Sequence, residues 1–133
     1  MLKRELSTSS RTDFVDATGL VQAAVRELEM DDGVVVVFNP HTTAAVTINE
    51  GADPDVVRDM SVALDRIVPW QDGYHHAEGN AAAHIKASMF GSSVTVIVQD
   101  GRLQLGTWQK IWFCEFDGPR RRRLWIRPLS TTA

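Results

Sequence analysis

The stretch VVVVFNPHTTAAVTIN, residues 34–49, decides the predicted fold. Val34 to Phe38 is apolar and almost entirely β-branched, which predicts a buried strand. Asn39-Pro40 interrupts the chain, and the pattern predicts a second strand from Thr42 to Asn49. Because the connection between them is short, we expect these two strands to pair in antiparallel fashion.

The segments on either side predict an α+β fold. Leu20 to Leu28 carries the apolar stripe of an amphipathic helix, with Thr18 as its N-cap. Two more helices are predicted, from Asp53-Pro54 to Ile67 and from Asn80 to Met89. The other predicted strands are two short pieces within residues 1–16 and the segments 94–99, 102–105, 109–116 and 122–127, with turns at 100–101 and 117–119. We therefore expect an antiparallel sheet or sandwich that carries two to three helices.

Length and composition limit the classes of function. The 133 residues suit one domain spanning 1–133, and the 44% hydrophobic and 23% charged content is that of a globular chain. A net charge of −3 argues against nucleic acid as a partner. No apolar segment approaches the ~20 residues of a membrane span, and no signal peptide is visible. The single cysteine, Cys114, excludes an internal disulfide and is predicted to be a core residue, so we expect a cytoplasmic protein.

Three of the four histidines fall in the stretch YHHAEGNAAAH, residues 74–84. A helix begun near Asn80 places that residue and His84 on one face, while His75 and Glu78 come from the preceding loop. Two or three imidazoles with a carboxylate suit a divalent metal ion such as zinc, and equally suit acid–base chemistry. The alternative is a solvated loop with Asn80 as a helix N-cap.

Two further polar clusters bracket the second strand of the opening stretch. His41 and Thr42 lie at its start, and Asn49 and Glu50 at its end. Alternation places His41 and Asn49 on the same face, because their separation is even. The alternative interpretation is that His41 is an ordinary loop residue, that the threonines are present because they favour a strand, and that residues 49–51 form the turn before a helix.

The remaining candidates suggest a planar, phosphorylated ligand. Trp108 and Gln109 follow Gly106, where a glycine backbone allows close approach and an indole can stack on a ring. Arg120 and Arg122 belong to a run of four arginines and share one face of a strand, where guanidinium forks suit phosphate. The alternatives are a core tryptophan and a charged edge strand.

In this order, the clusters resemble the YjbQ-like family of secondary thiamine-phosphate synthases over nearly the whole chain. The resemblance rests on the stretches HTTAA (41–45), NEGADP (49–54), HxxEGNxxxHIKAS (75–88), GSS (91–93), GRLQLGTWQ (101–109) and FDGPRxR (116–122). It implies an α+β fold that assembles as a homotrimer with sites near subunit boundaries. The implied activity is that of a transferase, which joins a hydroxymethylpyrimidine diphosphate to a thiazole phosphate and releases pyrophosphate. The resemblance implies this reaction as a secondary activity of the family.

The resemblance also assigns roles to residues. His41, His75 and His84 match three recurrent histidines and imply a metal-binding triad, while His76 falls on a variable position and is set aside. We expect Glu50, Glu78 and His75 to act in catalysis on this basis. The expected substrate-binding residues are Thr42, Asn49, Asn80, Trp108, Gln109, Arg120 and Arg122.

Two other functions remain open from the same residues. One is a metal-dependent hydrolase of a small phosphorylated substrate, in which three histidines activate water. The other is a non-catalytic module that binds a metal ion or ligand. The expected cofactor is a divalent metal ion such as zinc, nickel or iron, among which the sequence does not choose, and the expected partners are a small phosphorylated heterocycle and further copies of the chain as a homotrimer.

Overall fold

A computed structural model describes residues 1–130 and confirms the α+β class, with three helices and two antiparallel sheets in that part of the chain. The helices are α1 (Thr18–Glu27), α2 (Pro54–Ile67) and α3 (Ala81–Phe90). The strands are β1 (Leu2–Ser7), β2 (Asp13–Asp16), β3 (Gly33–Phe38), β4 (Ala44–Glu50), β5 (Ser93–Gln99), β6 (Arg102–Leu103), β7 (Gln109–Glu115) and β8 (Arg121–Ser130).

Two sheets divide the strands between them. The five-stranded sheet has the order β1-β8-β3-β5-β6, and the three-stranded sheet has the order β2-β7-β4. The main core joins both sheets to α1, and it includes Val25 from that helix, Val37 from β3 and Phe113 from β7, all fully buried. The apolar runs that predicted strands therefore supply the interior between layers.

The predicted pairing of the opening two strands is wrong. β3 pairs with β5 and β8, whereas β4 pairs with β7 in the other sheet. The buried side chain of Asn39 explains the crossing, because its Nδ2 donates to the carbonyl oxygens of His41 and Ala44 while its Oδ1 accepts the His41 amide at 3.0 Å. These bonds satisfy the backbone of the connection without a hairpin ladder, so the chain passes from one sheet to the other.

Helices α2 and α3 cover the outer side of the three-stranded sheet. A second apolar cluster forms there from Leu64 of α2, Ala83 of α3, Ala45 of β4 and Cys114 of β7. Burial raises the pKa of the Cys114 thiol, which favours the neutral form and makes this cysteine a small core residue.

Several predicted element ends differ from those observed. α1 has Ala17 at its N-cap, and the Thr18 hydroxyl instead accepts the amide of Ile111 at 2.9 Å. Asn80 precedes α3 without capping it through its side chain. β6 ends at Leu103, because the next residue leaves the β5 ladder after one bond to Ile97.

The outer side of the five-stranded sheet is not covered by another element of the described chain. Val34 of β3 lies between Ile97 of β5 and Leu129 of β8 in one register row. The side chains of Ile97 and Leu129 are 62% and 53% exposed. Within residues 1–130, no helix has the length and apolar character that crossing a bilayer requires.

Candidate functional site

Two adjoining cavities of about 540 and 470 Å³ form one groove, here called the His41 cleft. They share Pro40, His41, Thr42 and His84, so the connection after β3 and the first turn of α3 form the junction between them. The apolar half is completed by Phe38, Asn39, Ala44, Ala87, Ser88, Ser92 and Trp125. The polar half is completed by Thr43, His76, Glu78, Asn80, Asp117, Arg120 and Arg122.

His41 is held in one protonation state at the centre of this cleft. Its Nε2 accepts the backbone amide of Arg123 at 2.9 Å, so the neutral ring carries its proton on Nδ1. Burial lowers the pKa of His41, and the positive charge of Arg122 lowers it further, although Glu115 acts in the opposite direction. His41 is therefore a neutral hydrogen-bond donor at neutral pH.

A buried ion pair lies directly behind His41. The carboxylate of Glu115 is fully buried and accepts two hydrogen bonds from Arg122, one of them from Nε at 2.8 Å. The same carboxylate accepts the Thr8 hydroxyl at 2.7 Å, and Arg122 Nη2 also donates to the Thr43 hydroxyl at 2.8 Å. Burial alone would raise the pKa of Glu115, but the hydrogen bonds from Arg122, Thr8 and the Asp117 amide outweigh it, and the pKa is lowered.

The two arginines predicted to bind phosphate are both occupied by carboxylates of this chain. Arg122 is 3% exposed and forms the buried ion pair with Glu115, so only a small part of its side chain borders the cleft. Arg120 is half exposed and donates to Asp117 Oδ2 at 3.0 Å. Asn80 donates to the same Asp117 oxygen at 2.9 Å, which joins the start of α3 to the loop before β8.

The structure places His76, rather than His75, in the cleft. The rings of His76 and His84 meet edge to face, with centroids 5.2 Å apart. His76 and Glu78 line the polar half, whereas His75 is exposed and lines none of the three cavities described here. The contact with His84 in the first turn of α3 is what places the His76 ring at the cleft.

Four other predicted site residues lie at the opposite end of β4 and β7. The Gly51 amide donates to the Trp108 carbonyl at 2.8 Å, which places Trp108 beside Glu50. Glu50 Oε2 accepts the Ala52 amide, and Asn49 Oδ1 accepts the Glu50 amide. Six residue steps along β4 separate Glu50 from Ala44, which borders the His41 cleft, so this end of the strand lies about 20 Å from the cleft. Asn49, Glu50, Trp108 and Gln109 are therefore not part of the cleft within one chain.

Trp125 is, like His76, a cleft residue that the sequence interpretation missed. It packs against Phe38 with ring centroids 5.6 Å apart, and Lys3 Nζ lies 4.9 Å from the ring centroid. The run Arg120 to Arg123 that precedes it drew attention to charge alone. The alternation of arginine, tryptophan and arginine at positions 123, 125 and 127 is the signal that marks this face.

No group of three or more histidine, cysteine, aspartate or glutamate side chains is placed to hold a metal ion among residues 1–130. The predicted triad of His41, His75 and His84 is not assembled, because His75 lies outside the cleft. The Nε2 lone pair of His41 is moreover engaged by a backbone amide. The donor set present does not fit a metal centre.

Comparisons with known proteins give one consistent result. The family model described as "UPF0047 protein YjbQ-like" matches residues 3–131. The UPF0047 protein YugU of Bacillus subtilis is 49% identical over 132 residues, which cover 98% of this chain and 100% of that protein. A UPF0047 protein of Methanocaldococcus jannaschii is 45% identical and covers 96% of this chain and 92% of its own length.

Solved structures agree with this result. A YjbQ/UPF0047 family protein of Clostridium acetobutylicum superposes with a TM-score of 0.95 at 52% identity, covering 97% of this chain and 100% of that one. A hypothetical protein of Aeropyrum pernix superposes with a TM-score of 0.92 at 35% identity, covering 97% of each chain.

These findings correct the predicted activity. The family description and the names of these relatives state no thiamine-phosphate synthase activity, and the described chain assembles no metal site. The prediction of a thiamine-phosphate synthase that uses a three-histidine metal centre is therefore wrong. The alternatives that depend on a metal ion lack the same support, because residues 1–130 contain no group of side chains placed to bind one.

Proposed function

This chain belongs to the YjbQ-like UPF0047 family, and we propose that its His41 cleft binds a small molecule built from a planar ring and a phosphate group. The observation that carries the proposal is that the apolar and polar halves meet at the same residues, including His41 and His84. A ligand that spans the junction places its ring and its charged group in environments of matching polarity.

The apolar half supports the ring. Trp125 and Phe38 provide aromatic surface, and Ala44 and Ala87 complete a wall without charge. Aromatic pairs gain about 0.5–1.5 kcal/mol beyond the area they bury, which corresponds to about 2- to 12-fold in affinity. The ring is therefore the part of the ligand that Trp125 selects.

The polar half supports the phosphate through hydrogen-bond donors. Arg120 is half exposed at the rim, and a phosphate there competes with Asp117 for its fork. His41 carries its proton on Nδ1, and the imidazoles of His76 and His84 line the same half of the cleft. Because Glu78 and Asp117 balance the formal charge of the two arginines, we expect the phosphate to be held by individual hydrogen-bond donors rather than by a net positive charge.

Two unpaired buried atoms also favour an occupant. Among the described residues, Trp125 Nε1 on the apolar side and Asn80 Oδ1 on the polar side have no hydrogen-bond partner. A buried polar group without a partner costs roughly 1–3 kcal/mol. A ligand or an ordered water that supplies one acceptor and one donor recovers part of that cost.

Calorimetry with phenyl phosphate tests the proposal, with inorganic phosphate and phenol as the separate halves. We expect phenyl phosphate to bind more tightly than either half. The Trp125→Leu variant should weaken phenyl phosphate by about 2- to 12-fold and leave inorganic phosphate unchanged. Trp108→Leu, at the far end of β7, is the matched control and should change neither. Equal affinity for phenyl phosphate and inorganic phosphate contradicts the proposal.

We also propose that copies of the chain associate as a homotrimer through the uncovered side of the five-stranded sheet. The row of Ile97, Val34 and Leu129 exposes apolar side chains that a second copy would cover. Sedimentation should give three times the chain mass for the wild type and a smaller mass for Ile97→Asp/Leu129→Asp. Val62→Asp, an exposed residue of α2, should leave the mass unchanged. A monomeric wild type refutes this arrangement.

A cytoplasmic location stays a prediction. It is supported by the single cysteine, which lies buried as a thiol.

A further inference from the structure

The loop between α2 and α3 lines a surface cavity of its own, which is partly open to solvent. Residues 68–80 connect the two helices, and a cavity of about 230 Å³ lies within the segment 70–81. The Tyr74 hydroxyl donates to the Pro69 carbonyl and ties the loop across its own base. Compact surface loops that pack on their own side chains are frequently functional.

The lining of this cavity has a definite chemical character. It contains the rings of Trp70 and Tyr74, the imidazole of His76 and one carboxylate, Asp72, while no lysine or arginine is among its eight lining residues. Gly73 and Gly79 turn the backbone at positive φ, and a Cβ added to either would meet nothing within 4 Å. Open space therefore borders the loop backbone at both glycines.

One ring of this cavity already attracts a cation of the same chain. The guanidinium of Arg11 lies 4.1 Å from the Trp70 ring centroid, and Arg11 is not among the residues that line the cavity. The indole is thus a cation–π acceptor within this chain. The cavity lining adds Tyr74 and the carboxylate of Asp72, and aromatic rings with a carboxylate are the combination that recognises alkylammonium groups.

We propose that this cavity, here called the loop cavity, binds an organic ammonium group. At about 30 Å³ for each water-sized unit, its volume suits a headgroup of about seven or eight heavy atoms. The site is independent of the ring–phosphate proposal, although His76 lines both the loop cavity and the polar half of the cleft. An occupant of the loop cavity therefore contacts a residue that also faces the cleft.

Nuclear magnetic resonance of the full chain tests the proposal with choline chloride as the probe. We expect saturable shifts of the Gly73 and Gly79 amides, with sodium chloride at equal ionic strength giving none. Asp72→Asn and Tyr74→Leu should each weaken choline by about two- to fivefold, because each removes one favourable contact of a partly exposed cation.

Two matched variants separate recognition from loop structure. Tyr74→Phe keeps the ring and loses only the bond to Pro69, so it should bind choline as the wild type does. Asp59→Asn removes an exposed carboxylate of α2 and should have no effect. The proposal is overturned if sodium chloride reproduces the shifts, if Asp72→Asn and Tyr74→Leu both bind choline as tightly as the wild type, or if the shifts fall at Thr42 and Ser92 of the cleft.

Discussion

Removing the charge of Glu115 should destabilise the protein strongly, because it strands the guanidinium of Arg122 in the interior. In Glu115→Gln the side chain keeps its size, but Arg122, which is 3% exposed, loses the buried carboxylate with which it pairs. Breaking a buried ion pair from one side costs about 3–5 kcal/mol. For a 133-residue chain with a total stability of about 7–20 kcal/mol, that is a large fraction.

Urea unfolding followed by circular dichroism measures this loss directly. We expect the free energy of unfolding to fall by about 3–5 kcal/mol and the midpoint of thermal unfolding by about 6–20 °C. Glu27→Gln, which removes the exposed partner of Arg4, is the matched control and should cost at most about 1 kcal/mol. The double variant Glu115→Met/Arg122→Met should be less destabilised than Glu115→Gln, since it leaves no unpaired buried charge.

The pH dependence of the same difference gives a second check. Because the folded-state pKa of Glu115 is lowered, its contribution is complete above the usual carboxyl value of 4.5 and is lost as the pH falls through the lower folded value. The gap between wild type and Glu115→Gln should thus be full at pH 7 and shrink below about pH 4.5. A loss at pH 7 no greater than that of Glu27→Gln would refute the reasoning.

Three further predictions follow from other parts of the fold. The pKa of His41, measured from its ring resonances, should lie below 6.5, and a pKa above 6.5 contradicts the burial argument. Because the unfolded chain binds this proton more readily, the free energy of unfolding should decrease as the pH falls from 6.5 towards the folded-state pKa. The Cys114 thiol should react with a thiol reagent only after unfolding, and rapid reaction of the native protein would show that it is accessible. Gly19→Ala should stabilise α1 by about 0.5–1 kcal/mol, because a Cβ there would meet nothing within 4 Å. Gly33→Ala should destabilise the protein, because its Cβ would lie 2.2 Å from the Leu129 carbonyl oxygen. The thermal unfolding midpoints of both variants check the two signs.

The fold class could be predicted because it depends on local patterns that the chain repeats. The valine run of β3 and the apolar stripes of α1 and α2 are each sufficient to indicate their element. The pairing partners of β3 and β4 could not be predicted correctly, because they depend on the Asn39 side chain. Its hydrogen bonds satisfy the backbone of the connection, and β4 then joins the other sheet. Strand partnership is decided by such contacts and leaves no periodic signal.

The candidate site was predicted in part, for a related reason. His41, His84 and Asn80 line one cavity, because Asn80 and His84 lie at the start of α3 and His41 precedes β4. Sequence spacing could not decide between His75 and His76, since loop residues have no fixed facing direction. It also placed Glu50 and Trp108 with the site, although the length of a strand separates them from it within one chain.

The measurement that tests the central proposal most directly is a map of amide shifts on addition of phenyl phosphate to the full chain. The single-cleft account predicts saturable shifts on both sides of the junction, at Ser92 and Trp125 in the apolar half, at Asn80 and Asp117 in the polar half, and at Thr42 between them. Shifts confined to one half, or centred on Trp108 at the far end of β7, would contradict it.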